Sequence, residues 1–253
     1  MKKILFGLFS LLLIFGLFSC SLSFEEVEEE ISDEGYMTYA EFKAAEVGAE
    51  VKIAGYIQYA EDWWDNKQTI YVIDKEGNGY FLYEVPVSEL ESAFVIVGSK
   101  VHVTGKKAEW KDQVEVVDIT DLQIYGNDNY THTPVDVTAT LTNANAKADF
   151  ANQLVKIRAT LGNRGTEEAP LPYTIEWDNS ADYGNKDIYI NFSTALDNFT
   201  IIGRRYFGGT GEGSIYKTLS QLTANDIGQT FTITFFVYMY DGQVQGRIID
   251  IQR

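Results

Sequence analysis

Aromatic side chains carry most of the chemistry this sequence offers. AEDWWDN (60–66) sets Trp63 beside Trp64 among Glu61, Asp62 and Asp65, directly after an apolar-alternating run. Flat indole faces stack on sugar rings and on nucleobases alike, and flanking carboxylates accept hydrogen bonds from hydroxyls or cations. A tryptophan also serves to plug the end of a β-barrel. Neighbours on extended chain point to opposite sides, so a plug accounts for one ring and leaves the other outside. Both readings stand at this stage. A third tryptophan, Trp110, lies among lysines in KKAEWKDQ (106–113).

The groups that catalysis needs are scarce. His102 lies between Val101 and Val103 and is expected on the solvated side of a strand; His132, in a polar joint, is expected to be exposed. No HExxH, GxSxG or P-loop pattern occurs. Carboxylates abound, so composition leaves a glycosidase-like pair open, yet nothing singles out two of them. DNSADYGNKD (178–187) offers oxygen ligands but lacks the EF-hand order, and reads as a polar hairpin. RRYFGGTGEGS (204–214) has no Lys-Ser or Lys-Thr after its glycines, and reads as an insertion rather than a phosphate cradle. The expectation is a non-enzymatic protein with no cofactor and no metal.

The elements that position these residues are mostly strands. The capping boxes TYAE (38–41) and SELE (88–91) predict two short helices in the first half. Strands are predicted at 51–57, 69–74 and 80–85, the last two joined by KEGN, then at 100–105 and 114–124. Strand, strand, strand, short helix, strand, strand is the order of the five-stranded OB-fold barrel. EVGAEVKIAGYI, TIYVIDKEGNGYFLY and IVGSKVHVTGKKAEWKDQVEVVDI resemble the OB-fold modules of bacterial envelope and secreted proteins. That resemblance implies a binding face on strands two and three, flanked by the loops that hold Trp63, Trp64 and Trp110. Tyr71, Tyr80 and Tyr83 would contribute from the strands, though only one side of each strand faces outward.

The second half repeats the design. VGSKVHVTGKKAEWKDQV (97–114) aligns without a gap on IGQTFTITFFVYMYDGQV (227–244), which makes the latter strands four and five of a second barrel. SQLTANDIGQTFTI also aligns with AEFKAAEVGAEVKI, so a strand-one reading of this segment stays open. Residues 154–161 resemble strand one; 173–177 and 188–192 are candidates for strands two and three. The expected architecture is all-β with short helices: two tandem five-stranded OB-fold-like barrels at 36–126 and 135–253, joined by a linker at 127–134.

The start of the chain supplies an address. Lys2 and Lys3 precede an apolar run from Ile4 to Phe18, about the length of a signal-peptide core. LFSC resembles the lipobox of bacterial lipoproteins, which implies a signal peptide at 1–19, cleavage before Cys20 and acylation of that cysteine. Cys20 is the only cysteine, so the mature chain forms no disulfide, and the thiol has a use as an anchor. An acidic tether follows at 20–35, with seven carboxylates and no base. It also resembles surface-export signals of some bacteria. The full chain carries a net charge of −17, which disfavours nucleic acid, since OB-folds that bind it rely on Lys and Arg. The expected partners are a lipid bilayer through Cys20 and a glycan or envelope protein through the first barrel. A single-stranded nucleic-acid binder and a structural subunit of an envelope complex are the rival readings.

Overall fold

The computed structural model describes residues 31–90, 95–177, 186–204 and 213–253. The leader, Cys20, most of the tether, the stretches 178–185 and 205–212, and Glu91 of the second capping box lie outside the described residues.

The chain folds as two OB-fold-like barrels. In the first, α1 (Tyr39–Ala44) starts on the capping box of Thr38 and Glu41. Strands β1 (Glu50–Ala60), β2 (Lys67–Ile73), β3 (Gly79–Pro86), β4 (Ser99–Trp110) and β5 (Gln113–Asn129) close in the order β1-β2-β3-β5-β4. A short helix, α2 (Val87–Leu90), leads out of β3. Alternation places Val51, Ile53, Ile70, Val72, Leu82, Val101 and Val103 inside, and α1 adds Phe42 to the same core. β5 runs on to Asn129. Beyond it the Tyr130 N–H donates to the Gly98 carbonyl and the His132 N–H to Gln58 Oε1, so the expected linker lies against the first barrel.

The second barrel follows a short strand, β6 (Val135–Asp136), and a helical turn, α3 (Asn143–Asn145), that continues through residues Ala146–Phe150. Its strand one is β7 (Leu154–Leu161). β8 (Thr174–Trp177) only lengthens the sheet beside β9 (Lys186–Ser193). Strands two and three are therefore β9 and β10 (Asn198–Gly203), which corrects the assignment of 173–177 and 188–192. After α4 (Ile215–Ser220) come β11 (Thr230–Phe236), the two-residue β12 (Met239–Tyr240) and β13 (Gln243–Gln252). β11 pairs with both β7 and β13, β13 runs parallel to β10, and β9 meets β7 at Thr160 and Leu161. These pairings close the ring with 227–244 as strand four and the start of strand five. α4 stands where an OB-fold carries its helix, an element the sequence reading did not place.

The two barrels share an apolar seam. Tyr71, Ile73 and Phe81 point outward from β2 and β3, and all are buried by Leu154, Phe236 and Tyr238 of the second barrel. Tyr71 stacks on Phe236 with ring centroids 4.3 Å apart, and Phe81 meets Tyr238 edge-on at 5.7 Å. Polar bonds fix one end: Gln113 donates to Asn152 Oδ1 and accepts from the Met239 N–H. A Cβ on Gly79 would stand 2.1 Å from the Asn152 carbonyl oxygen, so the two backbones touch there.

The end of the tether is also folded. Lys100 is almost wholly buried, and its ammonium lies 2.9 Å from Asp33 and 3.3 Å from Asp128. His102 is 2% exposed, against the solvated position expected for it. It does face away from Val101 and Val103, but Asp33 meets its Nε2 at 2.8 Å and Tyr36 stacks on its ring at 4.0 Å. Half-buried His132 likewise departs from the exposed position expected of it. The boundary at residue 35 thus moves back to about Ile31, whose carbonyl accepts from Lys100. Among the described residues no helix is long and apolar enough to cross a membrane.

Two outcomes are expected. Phe236→Ala should cost about 3–5 kcal/mol by the usual cavity scale, and calorimetry should show the single transition of the parent splitting as the barrels uncouple. A chain started at Tyr36, which lacks Asp33, should lose about 1–2 kcal/mol against one started at Ser21, measured by urea unfolding.

Candidate functional site

Three two-residue hairpins present the aromatic candidates. Trp64 bridges Lys67 around Asp65 and Asn66, and both central residues have positive φ, the type I′ pattern that suits the twist of paired strands. Trp110 and Gln113 flank Lys111 and Asp112 in the same way, and Tyr240 and Gln243 flank Asp241 and Gly242. Each of Trp64, Trp110 and Tyr240 is the residue just before its turn. Trp63 and Trp64 are 49% exposed and Trp110 is 51% exposed, so none of the three plugs a barrel.

The structure does not gather the six candidates into one platform. Trp64 stands at the Pro86 end of β3, where Lys67 pairs with Pro86. Trp110 stands at the other end, because Leu82 pairs with Val116 and so brings Gln113 level with Gly79. Seven residues of strand at about 3.3 Å each put the two tips roughly 20 Å apart. Trp110 instead meets Tyr240 edge-on at 5.4 Å, and Lys111 pairs with Asp241 at 3.0 Å. Tyr71 and Tyr80 are each 1% exposed and cannot offer a free ring face. Tyr80 points into the first barrel against Phe42, and the ring of Tyr71 is spent on Phe236. Of the strand tyrosines, Tyr83 alone remains accessible, at 39%.

Tyr83 owes its position to a β-bulge. Gln68 pairs with Val85 and Ile70 with Leu82, so Tyr83 and Glu84 together oppose Thr69. Glu84 takes a left-handed φ of 53°, a conformation that costs a non-glycine residue on the order of 1 kcal/mol. In return its carboxylate accepts from Lys67 at 2.6 Å, which ties the bulge to the base of the Trp63/Trp64 hairpin.

A polar cluster continues from that hairpin into the seam. Glu61, two residues before Trp63, is buried; it accepts from the Tyr71 hydroxyl at 3.2 Å and lies 3.8 Å from Arg204. Arg204 also stands 3.6 Å from Asp187. Burial opposes its charge, but Glu61 and Asp187 outweigh that and raise its pKa. Arg247 is buried with its guanidinium 3.9 Å above the Tyr238 ring. Glu115 is 6% exposed and its carboxyl is pushed up to about 7, by burial first and by Glu84 second. Burial and then Glu84 raise the Tyr83 phenol as well. Trp63, Trp64 and Tyr83 are thus the exposed rings toward the Pro86 end of the β2–β3 face, and Glu61, Glu115, Arg204 and Arg247 are polar groups of the seam. Among the described residues no group of three or more His, Cys, Asp or Glu side chains is placed to hold a metal.

Sequence reading missed Glu115, Tyr238 and Arg247, which no local pattern marks. It noticed Arg204 only as the start of a glycine-rich stretch. No protein-family model matches the chain, and no curated protein matches it. Among solved structures it is similar to the hypothetical protein ygiW of E. coli, at 15% identity over 37% of this chain and 94% of that one, with a TM-score of 0.30. It is also similar to a murine DNA-binding protein solved with double-stranded DNA, at 8% identity over 80% and 97%, TM-score 0.37. A third is the single-stranded DNA-binding protein of Thermus aquaticus, at 10% identity over 82% and 94%, TM-score 0.29.

Glu115 sets a pH dependence. Its folded pKa lies above its unfolded one, so its contribution is full below about pH 4.5 and is lost as the pH rises through about 7. Glu115→Gln should leave stability nearly unchanged at pH 4.5 and raise it by about 3 kcal/mol at pH 8, as read from urea midpoints of the two proteins across that range.

Proposed function

We propose that this protein is a non-catalytic binding protein, lipid-anchored through Cys20 in a bacterial cell envelope, that takes a saccharide at the Trp63/Trp64 hairpin. The observation that carries this reading is the pair of half-exposed indoles on a rigid turn beside a built polar seam. An indole held open to water on a tight hairpin offers stacking area at little cost in conformational entropy. A sugar has an apolar ring face for the indole and hydroxyls for the neighbouring Asp62, Asp65 and Glu84. A nucleic-acid strand would bring a phosphate at every step to a tip flanked by Glu61, Asp62 and Asp65, on a barrel where residues 36–130 hold 17 acids and 8 bases.

The β2–β3 face that usually serves OB-folds is filled by the second barrel, which confines binding to its open end. Two acyl chains on Cys20 would hold the protein to a bilayer without a spanning helix.

The test is a tryptophan-fluorescence titration of the chain from Ser21 with neutral and cell-wall oligosaccharides. The same titration with a single-stranded oligonucleotide at low salt is the comparison. A saturable saccharide signal is expected, weakened at least about tenfold in Trp63→Ala/Trp64→Ala, as for aromatic anchors of other binding sites. Saturation by the oligonucleotide alone would replace this reading with the nucleic-acid one.

A further inference from the structure

Three described side-chain atoms are buried without a hydrogen-bond partner: Gln68 Oε1, Arg204 Nε and Arg247 Nε. They are not scattered. Gln68 donates its amide to the Glu61 carbonyl at 2.8 Å, Arg204 lies 3.8 Å from the Glu61 carboxylate, and Arg204 and Arg247 both act on the Tyr71 hydroxyl that Glu61 holds. Folded proteins rarely leave such atoms unmet, and a bound water, ion or ligand is the common reason when they do.

Arg204 is balanced in charge by Glu61 and Asp187, whereas Arg247 donates its Nη1 to the Gln245 carbonyl at 3.2 Å. A guanidinium that is hydrogen-bonded to a carboxylate sits at about 2.7–2.9 Å. Arg204 keeps Glu61 and Asp187 at 3.8 and 3.6 Å, which leaves its planar fork open to a closer acceptor. Its side chain is 26% exposed, whereas Arg247 is 6% exposed and lies over Tyr238. The chain as a whole is acidic, so these two arginines are not part of a general anion-attracting surface. They are a local exception, grouped around Glu61 and Tyr71.

We infer that the saccharide bound at the Trp63/Trp64 tip is an acidic one, and that Arg204 receives its carboxylate. The inference rests on the saccharide reading of that tip and names the class of sugar. The planar fork of Arg204 matches a planar carboxylate in a bidentate pair. A ligand with a single carboxylate suits this site better than a strand with a phosphate at every step, because one guanidinium, with Glu61 and Asp187 already within 4 Å of it, has room for one further charge at most. Arg247 stays over the Tyr238 ring and acts on the same Tyr71 hydroxyl.

The decisive comparison uses one ligand pair on the unmodified chain from Ser21: a glucuronate-containing hexasaccharide and the same hexasaccharide with its carboxyl groups reduced to alcohols. The acidic form is expected to bind about 10- to 100-fold tighter, the range for one hydrogen bond to a charged group. Arg204→Gln is expected to reduce that preference to about onefold, read as the ratio of the two affinities within the variant, with an unchanged circular dichroism spectrum showing that it is folded. Equal binding of both forms by the unmodified chain would overturn the acidic assignment and leave the saccharide reading intact. A preference that survives Arg204→Gln would overturn the role given to Arg204. Binding of neither form would overturn the saccharide reading, and the inference with it.

Discussion

The stacking of Tyr71 on Phe236 is the contact on which the rest of the molecule depends. Barrel one carries a row of outward aromatic and aliphatic groups, Tyr71, Ile73 and Phe81, that water would oppose. An isolated barrel with that face bare would present a large apolar patch. The second barrel covers it with Leu154, Phe236 and Tyr238, and so converts two small domains, each with a modest core, into one body with three connected apolar clusters. Among the described residues the apolar cover stops short of the Pro86 end of β3. What is left open there is set by the docking, not by the first barrel alone.

That remainder is shaped by strain and by charge. The bulge at Tyr83 and Glu84 turns one ring outward and ties the strand to Lys67. Behind it the seam changes character from apolar to ionic within one strand length, as Tyr71 gives way to Glu61, Arg204 and Arg247. Burial against that apolar wall penalises any charge that lacks a close opposite partner. Glu115 registers this most plainly, since its carboxyl holds a proton near neutrality where an ordinary glutamate would not.

Much of barrel one was legible in the sequence because its strands are half-buried, and half-burial writes itself as alternation: Val51, Ile53, then Val101, Val103. The capping box at Thr38 and Glu41 marked α1 for the same local reason. The gapless match of 97–114 on 227–244 placed the closing strands of barrel two. Strands β9 and β10 were mistaken because β8, an added neighbour, has the same alternation as a barrel strand. The errors in the site are all long-range. His102 was placed on the correct side of its strand, yet Asp33 and Tyr36 return from 69 and 66 residues away to cover it. Tyr71 points outward as an OB ligand-binding residue would, and only the partner barrel, more than 160 residues on, makes it core. Trp63 and Trp64 were legible as unusual; the ionic groups behind them, drawn from five separate strands or their ends, were not.

The hairpin tips at the far end of the seam couple the two repeats. In the gapless alignment Trp110 corresponds to Tyr240 and Lys111 to Asp241, and these corresponding residues touch one another, ring to ring and charge to charge. Residue meets its own counterpart here, although the rest of the seam joins non-equivalent strands, β2 and β3 of one barrel to β7 and β11 of the other. The two copies are therefore not free to drift apart in sequence at this point: any replacement in one hairpin alters the surroundings of the same position in the other.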